Sequence, residues 1–112
     1  MKAYYNDSDK NCCEWMRNLA DAGMITQGTI DARSIHDVLP ADLVGHDRVH
    51  FFAGIAGWDH ALNLAGWGER RIWTASLPCQ PFSCAGKRLG AADERHLWPV
   101  FFRLVRECRP PV

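Results

Sequence analysis

Apolar positions along the chain change period several times, and the changes mark out elements. Lys2–Asn6 (KAYYN) is a short aromatic run that predicts a strand. From Asn11 to Ala22, Cys12, Trp15, Met16 and Leu19 recur at helical spacing and predict one buried stripe. Asp9 stands ahead of that helix as a cap, and Gly23 ends it. Met24–Ile30 predicts a second strand, Ser34–Leu39 a short helix stopped near Pro40, and Ala41–Asp47 a polar connection. Arg48–Ala53 (RVHFFA) predicts a third strand, the turn Gly54–Gly57 follows, and Trp58–Ala65 predicts a helix. Arg71–Ala75 reads as a fourth strand, 76–90 as a long loop, and Trp98–Cys108 as an amphipathic helix with Pro99 in its first turn. Strands alternating with helices predict an α/β fold with a mostly parallel sheet.

Composition narrows the classes. The 112 residues carry 13 Lys plus Arg and 13 Asp plus Glu, so the formal net charge is zero. A basic surplus that would grip phosphates is absent overall, and any DNA contact must be local. No run is long and apolar enough to span a membrane. The five cysteines, 12, 13, 79, 84 and 108, include no CxxC pair, and the histidines show no metal spacing, so no metal is expected. A reducing, cytoplasmic setting fits, and no secretory signal is visible at the N-terminus.

Two segments carry candidate chemistry. In Phe52-Ala53-Gly54-Ile55-Ala56-Gly57-Trp58, a glycine turn joins a strand to a helix, which lets a ligand approach the backbone and the helix N–H groups. It is neither a dinucleotide fingerprint nor a P-loop, and a tight turn without ligand is an equal reading. In Leu77-Pro78-Cys79-Gln80-Pro81-Phe82-Ser83, proline holds a cysteine after a strand, with Lys87, Arg88 and His96 near in sequence. A thiolate there can attack an electron-poor carbon, and a small buried cysteine is the equal alternative. Asp7 follows the first strand, where a carboxylate accepts from ribose hydroxyls, and Asp31 follows the next, toward an adenine edge; a helix cap or a solvated loop residue is the alternative for either. Asp59 reads as a favourable charge in a helix first turn, and Trp58, Trp67, Trp73, Trp98, Phe101 and Phe102 as mostly core.

The glycine segment resembles the cofactor motif of the DNA (cytosine-5) methyltransferases, and Leu77–Ser83 looks like that family's Pro-Cys-Gln motif. Asp93–Trp98 is similar to the stretch leading into the next helix of phage-type and prophage-type members. The resemblance implies a partial Rossmann-like, S-adenosylmethionine-dependent fold in a single domain over residues 1–112. It implies Cys79 as nucleophile, with residues 52–58, Asp7, Asp31 and Pro78 on the cofactor, and Gln80, Ser83, Lys87 and Arg88 toward double-stranded DNA. The family's motif order is altered: the segments around Asp7 and Asp31, which resemble its ribose-side and adenine-side motifs, precede the glycine motif instead of following it. Asp7 also stands where the family has glutamate. If the same sheet positions are refilled, the strand of Asp31 is outermost, then that of Asp7, then the glycine-motif strand, then the strand before Cys79.

The family's ring-protonating glutamate, its later arginine and its target-recognition region do not appear. The expectation is therefore a truncated catalytic fragment, nearly inactive alone, belonging to a longer or split bacterial or phage restriction-modification enzyme. A missing C-terminal half, or a second copy, would cover an exposed sheet edge. The alternatives are an inactive S-adenosylmethionine-binding remnant or a protein-interaction module.

Overall fold

A computed structural model describes residues 1–77 and 97–112. Strands β1 (Ala3–Asn6), β2 (Gly28–Asp31), β3 (Arg48–Phe51) and β4 (Ile72–Ala75) form one sheet in the order β2-β1-β3-β4. Every pairing is parallel, with Ala3 opposite Gly28 and Arg48, and Arg48 opposite Ile72. This is the order that refilling of the sheet positions predicts. The architecture is the expected α/β, Rossmann-like one.

Helices α1 (Lys10–Asp21), α2 (Pro40–Leu43), α3 (Gly57–Leu64) and α4 (Trp98–Cys108) surround the sheet, with a 3₁₀ turn at Ile35–Asp37. Both central strands are buried on both faces: β1 (AYYN) is mostly apolar or aromatic, whereas β3 (RVHF) alternates ionisable and apolar residues, with Arg48 and His50 on one face and Val49 and Phe51 on the other. On one face Ala3 and Tyr5 pack with Cys13, Met16 and Ala20 of α1 and with Ile25 and Ala56. On the other, Tyr4, Val49 and Phe51 pack with Ile35, Val38, Leu43 and Leu104.

Three sequence expectations need correction. The buried stripe of α1 is Cys13, Met16 and Ala20, with Leu19 at its flank and Trp15 exposed, because the helix is rotated to set Cys13 under the end of β1. Pro40 opens a helix rather than only stopping one: it lacks the N–H that a first turn leaves unpaired, and the Asp42 carboxylate accepts from the Leu39 N–H at 2.9 Å. Trp58, Trp98 and Phe102 are about half exposed rather than core.

Candidate functional site

All four strands point the same way, so their C-terminal ends meet along one edge. Open parallel sheets bind ligands outside that edge. Asp31 ends β2 there, and Asp7, the glycine turn and Ser76 follow the ends of β1, β3 and β4. A larger groove of about 560 Å³, which includes Asp47 and Arg71 just before β3 and β4, lies at the opposite edge and takes no part in the site.

The glycine turn is an unusual piece of backbone. Phe52, Gly54 and Ala56 all adopt left-handed conformations, with φ of 52°, 60° and 66°. For the two non-glycine residues this costs on the order of 1 kcal/mol each, and such strain concentrates at functional sites. The turn is held from below by Ala53 N–H to Asn6 O (3.1 Å) and Ala56 N–H to Ala53 O (2.8 Å). From the side, the Asp7 Oδ2 accepts the Gly54 N–H at 2.8 Å while its Oδ1 accepts the Asp9 N–H at 2.9 Å. The structure therefore brings Asp7 to the glycine turn across two adjacent strands.

Gly57 opens α3 with an ordinary φ, and a β-carbon built on it would meet nothing within 4 Å. Among the described residues, packing does not require glycine there. No side chain caps the N-terminus of α3 among the described residues, so its first amides face outward. Gly54 is likewise unobstructed, although its positive φ is a sufficient reason for glycine. Beside the turn, Trp15, Leu19, Met24, Ile55 and His60 line a shallow groove of about 190 Å³.

Asp31 is more heavily committed than its sequence position implies. Its carboxylate accepts from the Tyr4 hydroxyl, from the Arg33 N–H (2.9 Å), and from Arg33 Nε (3.0 Å) and Nη2 (2.8 Å). These use about four acceptor directions, the capacity of a carboxylate. Burial pushes its pKa up, but the Arg33 and Tyr4 bonds outweigh it and leave the group below its ordinary value. Asn6 Nδ2 ties the same corner by donating to the carbonyls of Asp31 (3.1 Å) and Arg33 (2.8 Å).

A third group was missed in the sequence. Asp59 stands in the first turn of α3 as expected, but its side chain is fully buried. Its Oδ1 lies 3.2 Å from both Arg48 Nη1 and His50 Nε2, and its Oδ2 accepts from Thr26 N–H at 2.8 Å and Asn63 Nδ2 at 3.2 Å. Burial raises its pKa, yet the His50 and Thr26 bonds and the Arg48 charge together hold it down at about 2. The available signal was Arg48 and His50 at alternate positions of a central strand. Two ionisable groups on one inner face need a buried counter-charge.

Pro78, Cys79, Gln80, Ser83, Lys87 and Arg88 lie outside the described residues. Trp58 Nε1 donates to Ser76 Oγ at 2.9 Å, which links the first turn of α3 to the residue after β4. Among the described residues no group of His, Cys, Asp or Glu is arranged to hold a metal ion. Nor is any described helix long and apolar enough to cross a membrane.

The family model for C-5 cytosine-specific DNA methylases matches residues 69–112, a span that contains the Pro-Cys-Gln segment, β4 and α4. The chain is also 56% identical over 45 residues to the Type II methyltransferase M.NgoMIV of Neisseria gonorrhoeae, covering 40% of this chain and 14% of that protein. No solved structure matches. The glycine turn, Asp7 and Asp31 precede the matched family span, and it is the parallel sheet that carries them to the edge at which β4 ends. Through residues 69–112, the chain is similar to the C-5 cytosine-specific DNA methylases.

Proposed function

We propose that this chain supplies the S-adenosylmethionine-binding groups and the nucleophilic cysteine of a DNA (cytosine-5) methyltransferase, as one catalytic unit of a longer or split enzyme. The observation that carries this reading is Gly57: a glycine that packing among the described residues does not require, at a helix start with no side-chain cap among them, on the ligand edge of a parallel sheet. Room in front of a backbone is useful when a ligand fills it.

The residues present fit the cofactor. Backbone from Phe52 to Trp58 offers amides and open space for the methionine part, and the α3 N-terminus favours its carboxylate. Asp7, half-buried beside Gly54, is placed for the ribose, because each carboxylate oxygen keeps a free acceptor direction. Asp31 belongs to the adenine side, where its saturated carboxylate orders the end of β2. Pro78 completes the cofactor side. When bound, S-adenosylmethionine supplies an electrophilic methyl group.

Cys79 is the nucleophile in this reading. A target cytosine has to leave the base stack to be reached. Its C6 then accepts the thiolate, the ring electrons move toward C5, and after methylation loss of the C5 proton and of the cysteine restores the ring. Gln80, Ser83, Lys87 and Arg88 contact the double-stranded DNA and its backbone.

Calorimetric titration with S-adenosylmethionine tests the reading. The parent chain is expected to bind saturably, and Gly57→Ala to weaken binding at least ten-fold while leaving the urea midpoint unchanged or slightly raised. Alanine at a compatible helical position stabilises by about 0.4–1 kcal/mol. Equal affinity in parent and variant would remove the central support for the cofactor site.

A further inference from the structure

Beneath the glycine turn the core is polar. Arg48 and His50 project from β3 into the space under α3, both essentially unexposed, and meet Asp59 from the first turn of that helix. Arg48 Nη1 also donates to Asn63 Oδ1 (2.7 Å) and Thr26 Oγ1 (3.2 Å). His50 reaches the other way, its Nδ1 lying 2.6 Å from Thr74 Oγ1 on β4. Tyr5 stacks on the His50 ring at 5.3 Å and donates its hydroxyl to the Thr26 carbonyl at 2.7 Å. Asp59, His50 and Thr74 have the connectivity of a nucleophilic triad, but none is more than 8% exposed, so no substrate reaches them.

A buried ion pair is a poor way to gain stability, since well-packed apolar residues do as well or better. What it provides is direction: apolar contacts let a helix slide or rotate, whereas hydrogen bonds fix one placement. Helix α3 needs such fixing, because Leu62 and Asp59 are its only buried residues. With one leucine for apolar purchase, the Asp59 contacts decide where the helix start sits.

We propose that Asp59 is a positioning residue. Through Arg48, His50 and Thr26 it sets the glycine turn over the sheet, and through His50 and Thr74 it keeps that turn in register with β4, the strand that leads toward Cys79. The inference rests on the cofactor reading above for its consequence, but its structural half stands apart from it.

The test uses the full chain and two variants, Asp59→Asn and the pair Arg48→Met with Asp59→Leu. The pair removes both charges together, so no lone ion is left buried. Amide hydrogen exchange is followed without ligand, and S-adenosylmethionine is then titrated. The expected result for the pair is exchange at least ten-fold faster in residues 52–64, no change in α1, and a Kd for S-adenosylmethionine raised at least ten-fold. Unchanged exchange in residues 52–64 of the folded pair overturns the proposal. So does a uniform rise across all segments, which is the mark of a general stability role. If the pair does not fold, Asp59→Asn carries the same comparison, with a smaller local rise expected because asparagine still accepts from Thr26. If the parent binds no S-adenosylmethionine but the local exchange rises as expected, the cofactor reading fails and the positioning role stands.

Discussion

A β-carbon built on Gly28 would sit 1.8 Å from the carbonyl oxygen of Ala3 and 2.5 Å from its carbonyl carbon. Both are backbone atoms of the neighbouring strand, so no side chain can move aside. Gly28 is therefore glycine because β1 and β2 approach there, a different reason from that at Gly57, where no described residue fills the space. Gly28→Ala is expected to cost about 3 kcal/mol or more, read as a fall in the urea midpoint, or to detach β2. A midpoint within experimental error of the parent would mean that the register Ala3–Gly28 is wrong. Sequence alone treats the two glycines alike, since what separates them is the neighbour across the sheet or its absence.

At the scale of elements, much was legible. Four strands, three of the helices and the left-handed stop at Gly23 follow from period and punctuation. The strand order was also accessible, because segments resembling known motifs fix which strand lies beside which. The rotation of α1 was not, since Cys12 and Cys13 are adjacent and only packing under β1 selects between them. The inward turn of Asp59 was legible only indirectly: Arg48 and His50 on one strand face call for a buried counter-charge, but a carboxylate in a first helical turn ordinarily faces water. Its burial has a consequence in acid. The folded carboxylate titrates near pH 2, below the value of about 3.9 in an unfolded chain. Its contribution to stability is thus complete above pH 4 and is lost as pH falls toward 2. The shift corresponds to on the order of 2 kcal/mol, about half of it gone by pH 3. Comparing urea midpoints at pH 6 and pH 3 should show a larger acid loss in the parent than in Asp59→Asn. Equal losses in both would show that Asp59 is not held below its ordinary value.

Over the whole molecule, the distribution of charge sorts the cysteines. Cys12, Cys13 and Cys108 are free thiols, and burial raises the pKa of each above its ordinary value. Asp7 adds to the rise at Cys12 and Cys13, and Glu107 does so at Cys108. Burial, with the carboxylates gathered at the start of α1, thus keeps the thiols there protonated, whereas Cys79 and Cys84 share a segment with Lys87, Arg88 and His96, and of these two only Cys79 stands in the Pro-Cys-Gln segment. Since the thiolate is the reactive form, accessibility alone does not decide which cysteine is alkylated. With limiting iodoacetamide at pH 7, the first label is expected on Cys79, and Cys79→Ser should abolish the fast phase. Cys12 is the internal control, being partly accessible yet kept in the thiol form. A fast phase that survives Cys79→Ser, whether it maps to Cys12, Cys84 or Cys108, would show that another thiol is the more reactive, and Cys79 would lose its claim to be the activated nucleophile. A fast phase confined to Cys79 would place an acidic thiol just beyond the strand that the polar network beneath α3 holds in register.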